Sequence, residues 1–292
     1  MIKRLCVIGV GLIGGSLARA LREAGYVGEI VGSSRRVEHL QEAVDLGVID
    51  RFDTDPARAV EGADMVFVSV PLGVMGQVFK TISGALAPGT VVTDGGSAKA
   101  SVVQDVTAAI GMMPDWFVPG HPIAGTEKSG VAASFAGLYR GRRVILTPLE
   151  QTSPEATTRV RTMWEAAGAQ VNEMSVEHHD EVLAATSHLP HMLAFALVES
   201  LARLAEQREI FEYAAGGFRD FTRIASSDPV MWRDICLANR DALLAMLDRF
   251  TADLDELRAA VDRRDDETLL RIFSEAKVAR DAFSDLTEKS QD

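Results

Sequence analysis

The sequence predicts a two-domain protein, with a doubly wound α/β domain at the N-terminus and an all-α helical domain at the C-terminus. From residue 3 to about residue 172, short apolar runs alternate with helix patterns, and after about residue 175 only helix patterns continue. A chain of 292 residues is also long enough for two hydrophobic cores. We therefore place the domains at residues 1–174 and 175–292.

Buried strands are predicted where apolar, β-branched runs show no polar alternation. These runs are residues 4–9, 29–32, 65–70, 90–94 and 143–147. Helix patterns separate them, among others at residues 14–24, 37–47 and 74–86. Strands of this kind, connected through helices, predict a parallel sheet that is covered on both faces.

The second domain begins with a long helix pattern at residues 177–206, which Pro190 should kink or divide. A cap residue, Asp228, followed by Pro229 predicts the start of a further helix. Beyond it, apolar residues recur at spacings of four and three: Leu243, Leu247, Phe250, Leu254, Leu257 and Val261. This stripe fits either the core of an intramolecular bundle or the seam of a homodimer, and its length on a small domain favours the homodimer.

Composition limits the partners. The formal net charge of −12 argues against nucleic acid, and an anionic substrate would need a local basic cluster. No stretch approaches the apolar length that a membrane span needs, so we expect neither a membrane nor a nucleic acid as partner. Cys6 and Cys236 suggest no disulfide framework, which favours the reducing cytoplasm.

A glycine loop at residues 9–14 follows the first predicted strand and opens the first helix. In this position Gly9 allows the tight turn, Gly11 the approach of a pyrophosphate, and Gly14 close packing of helix against strand. The loop predicts a Rossmann-type dinucleotide site. Its cofactor-binding candidates are Gly9, Gly11, Leu12, Ile13 and Gly14, joined by Val70 and Pro71 at the end of the run at residues 65–70.

Preference for NAD or NADP depends on the end of the second strand. NAD-binding domains place an acid there for the ribose 2′-hydroxyl, but this chain has Ser33, Ser34, Arg35 and Arg36. Hydroxyl and guanidinium groups suit a 2′-phosphate, which favours NADP+. NAD+ remains open, because Arg35 and Arg36 could simply be solvated residues at a helix start.

Two polar segments, at residues 94–99 and 120–127, each follow a further strand-like run. Ligands of open α/β sheets bind at the carboxyl ends of the strands, so both segments should face the nicotinamide site. His121, in a loop bracketed by glycines, could take the proton of a hydroxyl while the adjacent carbon loses a hydride. The alternative is a structural hydrogen bond from a buried imidazole, but the placement of His121 near Ser97 favours catalysis.

Several motifs together resemble the prephenate/arogenate (cyclohexadienyl) dehydrogenase family of tyrosine biosynthesis. They are GVGLIGGS, DGGSAK, HPIAGTEKSG, SHLPH and GFRDFTRIASSDPVMW. The resemblance spans residues 3 to about 283, and the histidine and FRDFTRIA segments are its most discriminating parts. It implies a stand-alone enzyme without a fused chorismate mutase or regulatory extension.

The resemblance implies an NAD(P)+-dependent oxidative decarboxylation, in which ring C4 of a cyclohexadienol loses a hydride and the ring carboxylate leaves as CO2. His121 would accept the proton of the C4 hydroxyl, and Ser97 would orient that hydroxyl. Aromatisation makes the step essentially irreversible, so the protein mainly positions the reactants and the base.

The substrate would be a small dicarboxylate. By motif, Arg223 is its carboxylate anchor, although a surface ion pair with Asp220 is the alternative. Further substrate-binding candidates are Ser187, His191, Thr126, Glu127 and Trp232. Glu127 could form a polar gate beside Arg223, and Trp232 could equally be ordinary core. A histidine rather than a carboxylate opposite the substrate side chain favours prephenate over arogenate.

Other interpretations stay open at this point. A metal site around His188 and His191 lacks a convincing ligand set, so no metal is expected. His39, His178 and His179 are interpreted as surface or structural residues. A β-hydroxyacid dehydrogenase-like enzyme, which would use a lysine base or none, and a catalytically silent NAD(P)-binding sensor are the competing functions.

Overall fold

The computed structural model describes residues 1–126, 128–205 and 207–288. Contacts within the chain divide it into two compact units, Met1–Arg240 and Asp241–Asp292. The first unit contains both sheets and all the candidate site residues named above that the structure describes.

The larger sheet has six strands in the order β3-β2-β1-β4-β5-β6. Its members are β1 (Ile2–Ile8), β2 (Val27–Ser33), β3 (Arg51–Phe52), β4 (Met65–Val68), β5 (Val91–Asp94) and β6 (Phe117–Val118). Every neighbouring pair is parallel. The order reverses between β1 and β4, which is the Rossmann arrangement and creates a ligand crevice at the carboxyl ends of these strands. The predicted doubly wound sheet is confirmed.

Helices cover both faces of this sheet. They are α1 (Leu12–Glu23), α2 (Val37–Asp45), α3 (Pro56–Ala59), α4 (Leu72–Ile82) and α5 (Lys99–Ile110). Alternate residues of β1 enter separate apolar clusters, with Leu5 and Val7 on one face and Cys6 and Ile8 on the other. A strand that is buried on both faces needs no polar alternation, which explains its continuous apolar run.

A second sheet of three strands follows, in the order β7-β8-β9. It contains β7 (Gly120–Pro122), β8 (Arg143–Leu146) and β9 (Gln170–Glu173), with α6 (Pro154–Ala166) between the last two strands. β7 runs antiparallel to β8, whereas β9 is parallel to it. The run at residues 143–147, predicted as part of the parallel sheet, is therefore the centre of a separate mixed sheet, because an apolar run does not specify its neighbours.

Helical segments make up the rest of the first unit. They are α7 (Val176–Leu183), a π turn (Ala184–His188), α8 (Leu189–Ala202), α9 (Gln207–Glu212), α10 (Gly216–Thr222), a 3-10 turn (Arg223–Ser226) and α11 (Pro229–Ala238). Asp228 caps α11 by accepting a hydrogen bond from the Met231 N–H at 2.8 Å, as predicted. A π turn interrupts the regular α-helical hydrogen bonding immediately before α8, where Pro190 has no N–H to donate, but the helical segment continues from α7 through α8 and is not divided.

The continuous helical segment Val176–Ala202 is long and apolar enough, by length and composition alone, to cross a membrane. The expectation that no stretch reaches this length was wrong, because the π turn joins two helices that Pro190 was expected to separate. The segment nevertheless carries buried His179, Asp180 and His188, which form hydrogen bonds within the first unit.

The second unit contains the two long helices α12 (Arg240–Arg263) and α13 (Asp266–Glu288). Asp265 caps α13 by accepting a hydrogen bond from the Thr268 N–H at 3.0 Å. Along the predicted stripe Leu243 is buried, but Leu254 is 48% exposed and Val261 is 63% exposed. The stripe therefore retains apolar surface in the single chain.

Candidate active site

The glycine loop connects β1 to α1, and two of its glycines are required by the packing of the chain itself. Gly9 has φ +95°, and a Cβ there would lie 2.2 Å from the carbonyl oxygen of Ser69. A Cβ on Gly14 would lie 2.3 Å from the carbonyl oxygen of Gly9. Any side chain at either position would collide with backbone.

Gly11 differs from both, because a Cβ at this position would meet no atom within 4 Å. Gly11 is also the N-cap of α1, and no side chain caps the helix there. The free N–H groups of a helix N-terminus next to open space suit a phosphate. The loop therefore fits the pyrophosphate of a dinucleotide, which would be held by backbone N–H groups of residues 11–14.

Neighbouring candidates frame this loop. Leu12 is buried and Ile13 is half-buried, with the Ile13 carbonyl accepting a hydrogen bond from the buried Tyr139 hydroxyl at 2.7 Å. Val70 is half-buried and adjoins Gly9, while Pro71 is exposed at the N-cap of α4. Tyr139 thus ties the glycine loop to the segment that follows β7.

The cofactor-binding candidates at the end of β2 differ in their exposure to solvent. Ser33 is fully buried, and its hydroxyl has no hydrogen-bond partner among the described residues. Ser34 is half-buried and Arg35 is exposed. Ser34, Arg35 and the exposed Arg36 are therefore accessible to a ligand, whereas Ser33 is not.

A buried ion pair connects the ends of β5 and β7. The Lys99 ammonium contacts the Asp94 carboxylate, and both side chains are fully buried. Lys99 Nζ also donates to the Gly120 carbonyl at 2.6 Å, and Asp94 accepts from the Gly120 N–H at 3.0 Å. The half-buried Ser97 lies in the turn between these two charges, so the ion pair ties that turn to the strand of His121.

His121 lies in the short strand β7 and not in a loop as expected, because residues 120–122 pair with β8. Its ring is buried, and its Nδ1 lies 2.9 Å from Nε2 of His179. Burial lowers the pKa of His121 well below its ordinary value, and the nearby charges of His179, Lys99 and His188 act in the same direction. The ring is therefore neutral at physiological pH, as a proton acceptor must be.

His179 was interpreted as a surface or structural residue, but the structure buries it against His121. Its Nδ1 lies 2.7 Å from Oδ1 of Asp180, which also accepts the Lys99 N–H at 2.8 Å. No residue spacing could have revealed this contact, because His121 and His179 are 58 positions apart and on different elements. The only local signal for this role was a histidine followed directly by an aspartate, a few residues after the helix-capping Ser175.

A second group of candidates surrounds Trp232. The His191 ring stacks on the indole with centroids 3.7 Å apart, and His191 Nδ1 lies 2.9 Å from the Ser187 carbonyl oxygen. Nε1 of Trp232 and Nε2 of His188 are both buried without a hydrogen-bond partner in the described structure. Burial lowers the pKa of His188 to about 4.

Arg223 is exposed at the start of the 3-10 turn that follows α10, and its charge contributes to lowering the pKa of His191. The two side chains therefore lie in the same region. Thr126 is exposed and accepts the Lys128 N–H at 3.2 Å, while Glu127 lies outside the described residues. Within the described ranges no group of three His, Cys, Asp or Glu side chains is arranged to hold a metal ion.

Two protein-family models match the chain. The model of the prephenate dehydrogenase nucleotide-binding domain matches residues 17–173. The model of the prephenate dehydrogenase dimerization domain matches residues 175–275.

Individual proteins agree with these models over nearly the whole chain. The cyclohexadienyl dehydrogenase of Zymomonas mobilis is 41% identical over 95% of both chains. The crystal structure of prephenate dehydrogenase from Aquifex aeolicus, in complex with hydroxyphenyl propionate and NAD+, is 40% identical with a TM-score of 0.91 and covers 97% of this chain and 99% of that one. Synechocystis arogenate dehydrogenase is 28% identical with a TM-score of 0.80, covering 96% and 99%.

Proposed function

The chain belongs to the prephenate dehydrogenase family, and we propose that it converts prephenate to 4-hydroxyphenylpyruvate by NAD(P)+-dependent oxidative decarboxylation in tyrosine biosynthesis. Arogenate, which would give tyrosine directly, is a second candidate substrate because a cyclohexadienyl dehydrogenase and an arogenate dehydrogenase are among its relatives. An oxidoreductase of this family needs a dinucleotide site and a base, and the first unit offers residues for both.

The observation that carries the proposal is the buried imidazole of His121 on β7, a strand that is held against the carboxyl end of β5 by the hydrogen bond from the Gly120 N–H to Asp94. A base is effective only if it is unprotonated at the working pH, and burial keeps His121 in that form. Its strand is tied through Asp94 and Lys99 to the turn that carries Ser97. Ser97 and His121, the two residues proposed to contact the substrate hydroxyl, are thus held on segments that are hydrogen-bonded to each other.

Bound NAD(P)+ supplies the acceptor for the hydride that leaves ring C4. Ser97 orients the C4 hydroxyl by a hydrogen bond, and His121 takes its proton. The ring carboxylate then leaves as CO2, its bonding electrons complete the aromatic ring, and the proton held by His121 returns to the phenolic oxygen. Because the aromatic product is so stable, the residues need only position the substrate and manage this proton.

Arg223 is the proposed anchor of a substrate carboxylate. A protein with a net charge of −12 must hold a dianion through a local cation, and a guanidinium can bind a carboxylate with two parallel hydrogen bonds. Its location near His191 supports this role. We assign Ser187, His191 and Trp232 to the substrate side chain and Thr126 and Glu127 to the entrance beside Arg223.

Cofactor binding is assigned to Gly9, Gly11, Leu12, Ile13 and Gly14, with Val70 and Pro71 at the neighbouring strand end. Ser34 and Arg35 favour the 2′-phosphate of NADP+, whereas the fully buried Ser33 could contribute only by shaping the end of β2. NAD+ remains the alternative, and the Aquifex relative was crystallised with it.

We also propose a homodimer formed through the helical part of the chain, with residues 1–174 binding the nucleotide and residues 175–292 serving substrate binding and dimerisation. The match to a dimerization-domain model supports the assembly. The relatives are biosynthetic enzymes, which supports a cytoplasmic location.

Initial rates with prephenate and arogenate, each with NAD+ and NADP+, test the function directly. We expect turnover with prephenate, and His121→Asn should lower it about 10²- to 10⁴-fold, as for the loss of a general base. Cofactor affinity should not change, and the control His178→Asn, on an exposed neighbour, should behave as wild type.

Three results would contradict the proposal or part of it. Turnover of a small hydroxyacid but of neither cyclohexadienol would identify a β-hydroxyacid dehydrogenase-like enzyme. Cofactor binding without reduction by any of these substrates would identify a silent sensor. Full activity of His121→Asn would remove His121 from its role as the base.

A further inference from the structure

His121, His179 and Asp180 form one continuous hydrogen-bonded chain. Asp180 Oδ1 lies 2.7 Å from His179 Nδ1, and His179 Nε2 lies 2.9 Å from His121 Nδ1. All three side chains are buried. If a ring proton were on a nitrogen that does not face a hydrogen-bond acceptor, buried polar atoms would be left without partners, which is costly. The chain therefore restricts which nitrogen carries each proton.

The direction of the chain follows from the charge states. Burial opposes ionisation of Asp180, but hydrogen bonds from His179, Lys99 and Ala100 outweigh it and lower its pKa, so its carboxylate can only accept. His179 Nδ1 must then donate. Burial lowers the pKa of His179, so its ring is neutral and its Nε2 is an acceptor. His121 Nδ1 consequently carries a hydrogen, and His121 Nε2 carries the free lone pair.

We propose that His179 and Asp180 are positioning residues that hold His121 in the Nδ1–H tautomer, with Nε2 as the atom that takes the substrate proton. This inference rests on the proposed function, because it concerns the same base. When Nε2 is protonated, the positive charge on His121 is stabilised along the two hydrogen bonds by the Asp180 carboxylate, with no further proton transfer required.

Asp180 has a second role in the same site. Its carboxylate accepts the backbone N–H groups of Lys99 at 2.8 Å and Ala100 at 2.9 Å, the first two residues of α5. Ala98, the N-cap of this helix, has no side chain that could satisfy them, so a carboxylate from α7 replaces the usual cap. The residue that orients His121 therefore also fixes the helix start that follows the Ser97 turn.

The other charges near His121 do not replace this arrangement. The interactions of His121 with His179, Lys99 and His188 all lower its pKa, so none of these three groups by itself stabilises an imidazolium there. The opposite charge has to come from the Asp180 carboxylate that is hydrogen-bonded to His179. The Lys99 ammonium is already engaged by the Asp94 carboxylate and the Gly120 carbonyl. Among the described groups that face the ring, the His179–Asp180 pair is thus the one that can stabilise the charge that forms during turnover.

A matched pair of substitutions separates hydrogen bonding from space filling. In His179→Gln the amide oxygen can take the place of Nε2 and accept from His121, whereas His179→Met fills similar space without a comparable acceptor. We expect His179→Met to lower kcat about 10- to 10²-fold, the effect of one hydrogen bond to a charged group, with KM values for both substrates unchanged. His179→Gln should retain turnover close to wild type. The controls are His178→Gln and His178→Met on the exposed neighbour, both with wild-type turnover.

Nitrogen-15 NMR of histidine-labelled full-length enzyme, saturated with NAD+, reports the tautomer without any turnover. We expect His121 as Nδ1–H in the wild type and in His179→Gln, and a mixture of tautomers in His179→Met. An Nε2–H resonance on wild-type His121 would overturn the inference, as would equal loss of kcat in the Gln and Met variants. Because the spectrum needs no substrate, an enzyme inactive on both cyclohexadienols would refute the proposed function while the tautomer is still decided.

Discussion

His191 lies flat on the indole of Trp232, and its Nδ1 faces the carbonyl oxygen of Ser187. A carbonyl only accepts, so Nδ1 carries the hydrogen and Nε2 has a lone pair when the ring is neutral. Burial lowers the pKa of His191, with a smaller contribution from Arg223 in the same direction and an opposing one from the Ser187 bond. Neutral His191 therefore offers an acceptor at Nε2, and protonated His191 offers a donor.

This difference predicts a substrate preference that depends on pH. An ammonium group, as in arogenate, pairs with the lone pair of neutral His191, whereas the pyruvyl oxygens of prephenate need a donor. The lowered pKa makes the neutral form of His191 dominant at neutral pH, so His191 itself should not favour prephenate there, and the ratio of kcat/KM for prephenate to that for arogenate should rise only as the pH falls below the ordinary histidine pKa, toward about 5.

The ratio is measured with both substrates in the same buffers, so that titration of His121 affects the numerator and denominator equally. In His191→Asn, which cannot titrate, the ratio should be independent of pH. A ratio that is flat in the wild type, or equally steep in the variant, would exclude His191 as the origin of the preference. Arg223 and His188 are the other titratable groups in electrostatic contact with His191.

At the scale of elements, the turn from β1 into α1 needs glycine for two different reasons: Gly14 for packing within the protein and Gly11 for space at the proposed cofactor site. Gly14→Ala would place a methyl group 2.3 Å from a carbonyl oxygen, and overpacking of this kind typically costs about 1 to 3 kcal/mol of the free energy of unfolding. Gly11→Ala meets nothing in the protein, so its Tm should stay close to wild type. It should nevertheless bind NAD(P)+ at least about tenfold more weakly, a loss of about 1.4 kcal/mol, because its methyl group occupies the space of the pyrophosphate.

Thermal unfolding without ligand and calorimetric titration with NAD+ and NADP+ measure the two effects independently. Wild-type affinity in Gly11→Ala would show that the pyrophosphate does not bind at this helix end. A shared loss of Tm in both variants would show instead that Gly11 is needed for folding.

The elements that could be predicted from the sequence are those with a local pattern. The strands β1, β2, β4 and β5 lie in their predicted segments, within a few residues at each end, because each is a β-rich run that lies between helix patterns. The two-residue strand β3 has no such run, and β6 corresponds only to the short strand-like run before residue 120. The placement of β8 in a separate sheet depends on pairing with β7 and β9, which a periodicity does not encode.

The site shows the same division. His121, Ser97 and Arg223 belong to short motifs, so they could be proposed from the sequence. His179 and Asp180 could not, because their roles arise only when α7 packs against the ends of β7 and α5. Burial of Ser33 could not be predicted from the sequence either, since a serine at the end of a strand can be buried or exposed.

At the scale of the whole molecule, exposed apolar residues on the helices of the second unit predict how the subunits assemble. On α12 these residues include Leu254 and Val261, and on α13 they include Leu270, Phe273 and Val278, which are 60 to 69% exposed. Surface of this kind commonly marks a protein interface. We expect Leu254→Glu combined with Val261→Glu to weaken the dimer and make the sedimentation coefficient depend on concentration in the micromolar range.

The matched control is Leu46→Glu, which changes a similarly exposed leucine of the first unit and should leave sedimentation unchanged. Circular dichroism of both variants checks that the helices are retained. A double variant that sediments as the wild type at every concentration would locate the interface elsewhere.

The π turn at residues 184–188 has a consequence for insertions and deletions. A π turn contains one residue more than the α-helix it interrupts, so deleting one residue there would restore a regular ladder between α7 and α8. The same deletion would rotate everything after it by about 100° around the helix axis and shift it by about 1.5 Å. His191 and Trp232, which both follow the turn, would then be displaced relative to His179 and Asp180, which precede it. Geometrically the helix would become more regular, yet the residues proposed to contact the substrate side chain would be displaced relative to those proposed to position the base.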